Sequence, residues 1–268
     1  MLFFKILFKD LVFPWRTRAG RQFLWLAWRW GSTPRYQPRR VPCGPYRFHV
    51  PDALSFVWQF KEIFVEEAYF FTSPYAQPVI LDCGANVGTS CAYFKRLFPQ
   101  AHVVAYEADP AIARYLTQNL ADNHLTGVEV VAKAVWTDDV GVALGEQGAD
   151  SASVRAVSPT TRVPSLRLRD ELHRHPRVDL LKMDIEGAET AVLRDCADAL
   201  THVQHLFVEY HAYLGQPQDL DEILSILRQG GFRYFLRAAR DRSHPLANHT
   251  YRNDAVMDLQ LNLFAWRD

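Results

Sequence analysis

The chain has 268 residues, 49% hydrophobic and 22% charged, enough for one large α/β domain plus an appendage. Its zero net charge conceals a split: residues 1–47 carry ten Lys and Arg against Asp10 alone, a balance of +9, and the remainder carries −9. No stretch reaches the roughly 18 apolar residues of a membrane span, and Cys43, Cys83, Cys91 and Cys196 lack zinc-type or redox C-x-x-C spacing.

The cysteines are expected as small core residues in a reducing, cytoplasmic setting. Lys9, Asp10 and Arg16 interrupt the apolar N-terminus, so a signal-peptide layout is not read there. Residues 1–50 read as a basic, aromatic extension, and residues 51–268 as the main domain with its core at 79–266.

Residues 1–40 hold four of the seven tryptophans: Trp15, Trp25, Trp28 and Trp30. A loop-prone stretch follows, punctuated by Pro34, Pro38, Pro42 and Pro45. Residues 53–71 are predicted helical, ending before Ser73-Pro74. From Val79 the pattern becomes strand–helix alternation, the signature of a parallel sheet.

Val79–Leu81 is a short buried strand. Thr89–Phe98 is a helix stopped by Pro99, and Val103–Tyr106 is a second strand. Asp109-Pro110 opens the next helix, because Asp caps free N–H groups and Pro needs none. Val128–Ala132 and Val178–Met183 are the third and fourth strands, and a helix runs on from Ala188. His205–Val208 is a fifth strand. Asp219 is the expected cap of a helix that Gly230-Gly231 ends, with Glu222 three residues on. Phe232–Leu236 and Leu259–Trp266 close the sheet. Right-handed crossovers give an open, doubly wound sheet with ligands beyond the strands' carboxyl ends.

The first strand runs into Asp82-Cys-Gly84-Ala85-Asn86-Val-Gly88, a turn whose glycines let backbone approach a ligand. Glu107, at the end of the second strand, stands where a carboxylate holds ribose hydroxyls. The loop is G-x-x-x-G, not G-x-G-x-x-G, and Asp82 sits at its mouth. A pyrophosphate would meet like charge there. S-adenosylmethionine (SAM) brings an ammonium and a sulfonium, so the carboxylate favours SAM over NAD.

A second acidic constellation lies at Lys182-Met-Asp184-Ile-Glu186-Gly187-Ala-Glu189, where the fourth strand exits. The fifth strand exits at Glu209-Tyr210-His211. Adjacent strands thus bring Asp184, Glu186, Glu209 and His211 to one rim. Alcohol methylation needs the hydroxyl aligned with the methyl and its proton removed, by a carboxylate, a histidine or a metal-bound oxygen. Bland alternatives stand beside these roles. Glu189, and to a lesser degree Glu186, can serve the helix dipole. His211 can be an idle rim histidine. Lys182 can snorkel or pair.

At these residues the sequence resembles the FkbM family of SAM-dependent methyltransferases. The matching stretches are Val79–Gly88, Tyr106–Pro110, Leu181–Glu189 and Val208–His211, with a looser likeness over Pro164–Leu172. The resemblance implies a Rossmann-like class I methyltransferase fold with a seven-stranded, mostly parallel sheet. It implies O-methylation of a sugar, glycan or other hydroxylated metabolite. It places Asp82, Gly84, Ala85, Asn86, Gly88, Glu107 and Ala134 around SAM, with Asp184 and Glu186 close by. A divalent metal such as Mg is an open addition.

An NAD-type oxidoreductase and a catalytically idle binding protein on the same fold are the competing readings. No nucleic-acid module is recognised, and the body is acidic. Residues 1–40, rich in basic and aromatic side chains, have two readings: peripheral contact with an anionic membrane, or a cap packed on the body.

Overall fold

The computed structural model describes residues 17–146, 152–153, 160–239, 242–249 and 257–267. Phe3, Phe4, Phe8, Phe13 and Trp15, part of the membrane reading, lie outside them.

Helix α1 (Arg18–Trp30) starts where the Thr17 side chain accepts a hydrogen bond from Gly20 N–H. A hairpin follows, β1 (Arg39–Cys43) and β2 (Tyr46–Val50), paired antiparallel in register around Cys43↔Tyr46. The four prolines predict a loop here. Pro42 nevertheless fits a short two-stranded ribbon, where a missing N–H is tolerated. Helix α2 (Ala53–Phe60) is capped by Asp52 and runs into a π-helical turn, Lys61–Val65. The helix expected to reach residue 71 therefore ends early. Glu67 turns into the left-handed region (φ 52°), which no helix continues through.

The body is one seven-stranded sheet. Its strands are β3 (Val79–Cys83), β4 (His102–Tyr106), β5 (Val128–Val131), β11 (Val178–Met183), β12 (Val203–Tyr213), β13 (Arg233–Ala238) and β14 (Met257–Trp266). The spatial order is β13-β14-β12-β11-β3-β4-β5, with β14 antiparallel to both neighbours and the remaining pairs parallel. The seven-stranded, mostly parallel architecture is the one expected. The fifth strand is longer than its apolar run, because Glu209, Tyr210 and His211 stay in register with β14.

Helices α3 (Thr89–Leu97), α4 (Pro110–Asp122), α5 (Leu168–Arg174), α6 (Glu189–Asp195) and α7 (Leu220–Gln229) fill the crossovers and the β12–β13 connection. Asp109 caps α4, accepting from Ala111 N–H at 2.6 Å. Asp219 precedes α7, but its side chain makes no capping bond. Strands β6 (Ala134–Trp136), β7 (Val142–Glu146), β8 (Ala152–Ser153), β9 (Thr160–Val163) and β10 (Ser165–Arg167) form two small sheets, β10-β6 and β8-β7-β9, on the way from β5 to α5. None of these five strands is predicted from the sequence.

Side-chain alternation along the strands divides the core in two. Ile80, Leu180 and Phe207 face one layer, built with Leu26, Val41, Phe48, Phe56, Phe64 and Phe94. Leu81, Leu181, Leu206 and Val208 face the other. Thus α1, the β1–β2 hairpin and α2 share a core with the first face of the sheet. The chain moves outward from β3 through β4 to β5, then restarts at β11 on the other side of β3. The gap between the ends of β3 and β11 is therefore the topological switch point, where an open α/β sheet leaves a crevice.

Candidate active site

Two loops meet at that crevice. The first leaves β3 through Gly84 (φ 88°), Asn86 (φ 49°) and Gly88 (φ 90°) before α3 begins. A Cβ on Gly84 would lie 1.9 Å from the Asp184 carbonyl oxygen. Only glycine permits the two loops to touch. Gly84 and Ala85 N–H groups both donate to the Tyr106 carbonyl at 3.0 and 2.9 Å, fastening the loop to the end of β4. One residue on, Glu107 accepts from Asn86 N–H and from Asp109 N–H, each at 2.9 Å. Burial pushes its carboxyl up to about 7, against the pull of those two donors. Ala134 is buried with Val142, Leu144 and Val163 beside Ala108, the residue after Glu107.

Asp82 departs from expectation. It is 0% exposed, accepts from Ser90 Oγ at 2.5 Å, and lies 3.3 Å from Lys182 Nζ. Register explains the pairing: Asp82 and Lys182 are neighbours on adjacent strands and point to the same face. Asp82 therefore supports the loop from beneath rather than facing the crevice. Its charge is answered by Lys182, so it does not set the sign of the loop's mouth. Lys182 does not snorkel. Its Nζ donates to the Gly84 carbonyl at 2.7 Å and sits 3.6 Å from Asp184. Burial opposes its charge, yet Asp82 and Asp184 outweigh that and hold its pKa above the usual lysine range.

The second loop carries the acids. The Asp184 carboxylate is 25% exposed, open enough to meet a ligand. Glu186 takes a left-handed turn (φ 54°), followed by Gly187 (φ 94°). Glu189 shapes this turn. Buried at the start of α6, it accepts from Ile185 N–H at 3.1 Å and Gly187 N–H at 2.9 Å. It also lies 3.1 Å from His211 Nδ1. The helix-dipole explanation of Glu189 is thus too small, because it orients both the loop and the imidazole. His211 Nε2 points back to Glu186, 3.7 Å away. Burial works against the charged imidazole, but Glu186 and Glu189 overcome it and raise its pKa well above the ordinary value.

Asp184, Glu186 and His211 each offer a ligand atom within 4.8 Å of the others, a spacing that could hold a metal ion. Glu209 is engaged by the Gln260 side-chain amide, and burial with Asp184 nearby pushes its carboxyl well up.

Four further participants escaped the sequence reading. Glu62, on the π-turn, accepts from Asn262 Nδ2 at 3.0 Å. Burial and then Asp184 raise its pKa, so it belongs to the same acidic crevice. Gln260 and Asn262 arrive on β14 opposite His211 and Glu209. Tyr69 packs its ring 4.8 Å from Phe207 and 5.7 Å from the Lys182 ammonium. A π-turn at a functional edge is a recurring device, but no sequence pattern announces one.

A seven-stranded sheet with one antiparallel strand, a glycine loop at its switch point, a carboxylate ending the next strand and an acidic rim opposite define the class I methyltransferase architecture. Residues 82–234, more than half of the chain, match the methyltransferase FkbM domain, and the chain belongs to that family. Methyltransferase 1 of Beauveria bassiana is 29% identical over 164 residues, covering 52% of this chain and 66% of that one. The hexuronic acid methyltransferase AglP of Haloferax volcanii is 24% identical over 210 residues, covering 75% and 84%. A SAM-dependent methyltransferase from Agrobacterium tumefaciens superposes with a TM-score of 0.50 at 7% identity, covering 88% and 72%, a likeness of fold alone.

Proposed function

We propose that the protein transfers a methyl group from SAM to a hydroxyl oxygen of a sugar, glycan or other hydroxylated small molecule. One observation carries this reading: the glycine loop with Glu107 and the rim of Asp184, Glu186, Glu209 and His211 meet at the switch point, close enough for Gly84 to touch Asp184. The loop and Glu107 suit an adenosyl group without phosphates. The acid-rich crevice suits a cationic cofactor better than an anionic one, even with Asp82 neutralised by Lys182. The hexuronic acid activity of the Haloferax volcanii relative is compatible with a saccharide acceptor.

SAM, when bound, supplies an electrophilic methyl on a sulfonium. The chain's own residues then orient the acceptor and take its proton. Asp184 is the best placed base, since it is partly exposed and Lys182 and its backbone tie hold it still. Glu62 and Glu209, with raised pKa values, are suited to hydrogen-bond acceptor hydroxyls near it. Glu186 and His211 complete the rim. A positioned base is worth about 10²–10⁴ in rate, so Asp184→Asn is expected to lose turnover on that scale while still binding SAM. Equal turnover in the variant removes Asp184 from the chemistry. Labelled-methyl transfer to panels of saccharides and polyols, read by mass spectrometry, identifies the acceptor.

The grouping of Asp184, Glu186 and His211 favours a second form of the same reading, in which these three hold a divalent cation. Glu189 on His211 Nδ1 supplies the outer hydrogen bond that metal-binding histidines characteristically have. Excess EDTA would then abolish turnover and added Mn²⁺ or Mg²⁺ restore it. Full activity in the chelator excludes an exchangeable, essential ion.

A further inference from the structure

Helix α1 presents two faces of opposite character. Leu26 is fully buried, and Ala19, Phe23, Ala27 and Trp30 pack against the core. The outward stripe is Arg18, Arg21, Trp25, Trp28 and Arg29, spaced three, four, three and one. Trp25 is 43% and Trp28 79% exposed. On the neighbouring helix Trp58 is 57% exposed, its ring 6.1 Å from Phe23 on the inward side of α1.

An ordinary solvated helix face carries mixed charges. This one carries only Arg and Trp, and no acid occurs anywhere between Asp10 and Asp52. A cap would use its tryptophans inward. Here α1 already has an apolar inward face, and its two exposed tryptophans lie on the other side.

We propose that this Arg–Trp face seats the protein on an anionic bilayer surface. Charge complementarity selects the occupant. The outward face of α1 carries Arg18, Arg21 and Arg29 and no acid, so an anionic surface attracts it while repelling residues 48–268, whose net charge is −9, which fixes orientation as well as attraction. Tryptophan is the side chain that favours headgroup depth, and arginine pairs with lipid phosphate there. Among the described residues no helix is long and apolar enough to cross a membrane, so the contact is peripheral.

The helix that carries the seat also packs on the π-turn Lys61–Val65, whose Glu62 reaches Asn262 on the rim. An acceptor held in the bilayer by a lipid tail would be delivered beside the acids. This last step rests on the methyl-transfer reading, whereas the docking itself does not.

Co-sedimentation of the full chain with vesicles tests the proposal. Binding is expected to phosphatidylcholine vesicles containing phosphatidylglycerol, not to phosphatidylcholine alone, and to fall with salt. Each surface Arg contributes roughly fivefold, so R18Q/R21Q/R29Q should weaken binding about a hundredfold. W25S/W28S should weaken it at least about tenfold, in low salt as well as high. SAM affinity, measured on the same preparations, should stay unchanged in both variants, showing that they fold. Vesicle binding that survives both sets of substitutions overturns the proposal. So does a chain that ignores anionic vesicles but binds nucleic acid through the same arginines. Loss of SAM binding by the unsubstituted chain would instead count against the proposed reaction, leaving the docking result to stand by itself.

Discussion

Glu107 and Lys182 show how single side chains divide the labour of the crevice. Burial pushes the Glu107 carboxyl up to about 7, outweighing its two backbone donors. Under the proposed function, ribose hydroxyls would donate to the ionised carboxylate, so binding would require the deprotonated form and compete with the proton. The sign follows: affinity for SAM is full above pH 7 and declines as pH falls through 7, by about tenfold at pH 6 relative to pH 8. Calorimetry across that range checks it, and Glu107→Gln should flatten the pH profile. Glu107→Ala should weaken binding about ten- to a hundredfold at pH 8, through loss of charge-assisted hydrogen bonds worth about 1.5–3 kcal/mol. Unchanged affinity in the alanine variant would remove Glu107 from the cofactor site. Lys182 has a different task. Removing its ammonium strands the fully buried Asp82, and breaking a buried pair from one side costs about 3–5 kcal/mol. Lys182→Met should therefore lose stability on that scale in urea, and adding Asp82→Asn should restore part of it.

The loops and strands set the positions those side chains occupy. Gly84 combines φ 88° with contact against the Asp184 carbonyl. Gly84→Ala forces both strain and a backbone clash, and should cost at least about 2 kcal/mol. Thermal melting of the variant, with and without SAM, reads the loss, and a wild-type melting temperature would mean the loops do not touch. These elements were largely legible beforehand. Val79–Leu81 is an apolar run ended by acid and glycine, and Val178–Met183 keeps Leu180, Leu181 and Met183 among its charged residues, the apolar content of strands buried on both faces. The contents of the site were harder to read. Pairing of Lys182 with Asp82 depends on β11 lying next to β3, one hundred residues apart in sequence, which no local pattern reveals. Without that pairing, Asp82 looked like a free charge at the loop's mouth. Glu62 was hidden because helical periodicity ran through the π-turn without marking it. The β1–β2 hairpin was hidden because four prolines outweighed the alternation of Val41 with Cys43 and Phe48 with Val50. Glu189 looked like a helix-end acid because its partners, Gly187 N–H and His211, are fixed only once the loop has folded.

Over the whole molecule, the segment preceding the family-matched residues is built into the site's supporting layer. The face of the sheet that carries Asp82, Lys182, Glu209 and His211 is the face on which Ile80 and Phe207 join Phe48, Phe56 and Phe64. Phe48 of the hairpin stacks obliquely on Phe56 of α2 at 5.1 Å. Asn119 of α4 then bonds both His49 and Val87, tying the hairpin to the chain just past Asn86 in the glycine loop. The hairpin should therefore unfold together with the cofactor loop rather than separately. Phe48 is buried, and truncating such a side chain to alanine removes about 3–5 kcal/mol. For a chain of this length Phe48→Ala should lower the melting temperature by roughly 6–15 °C. The transition should remain single, and SAM should raise the melting temperature of wild type and variant alike. Differential scanning calorimetry distinguishes the alternatives. An early, small transition that SAM does not move, followed by a main transition at the wild-type temperature, would mean that residues 17–50 fold independently of the sheet face they pack on.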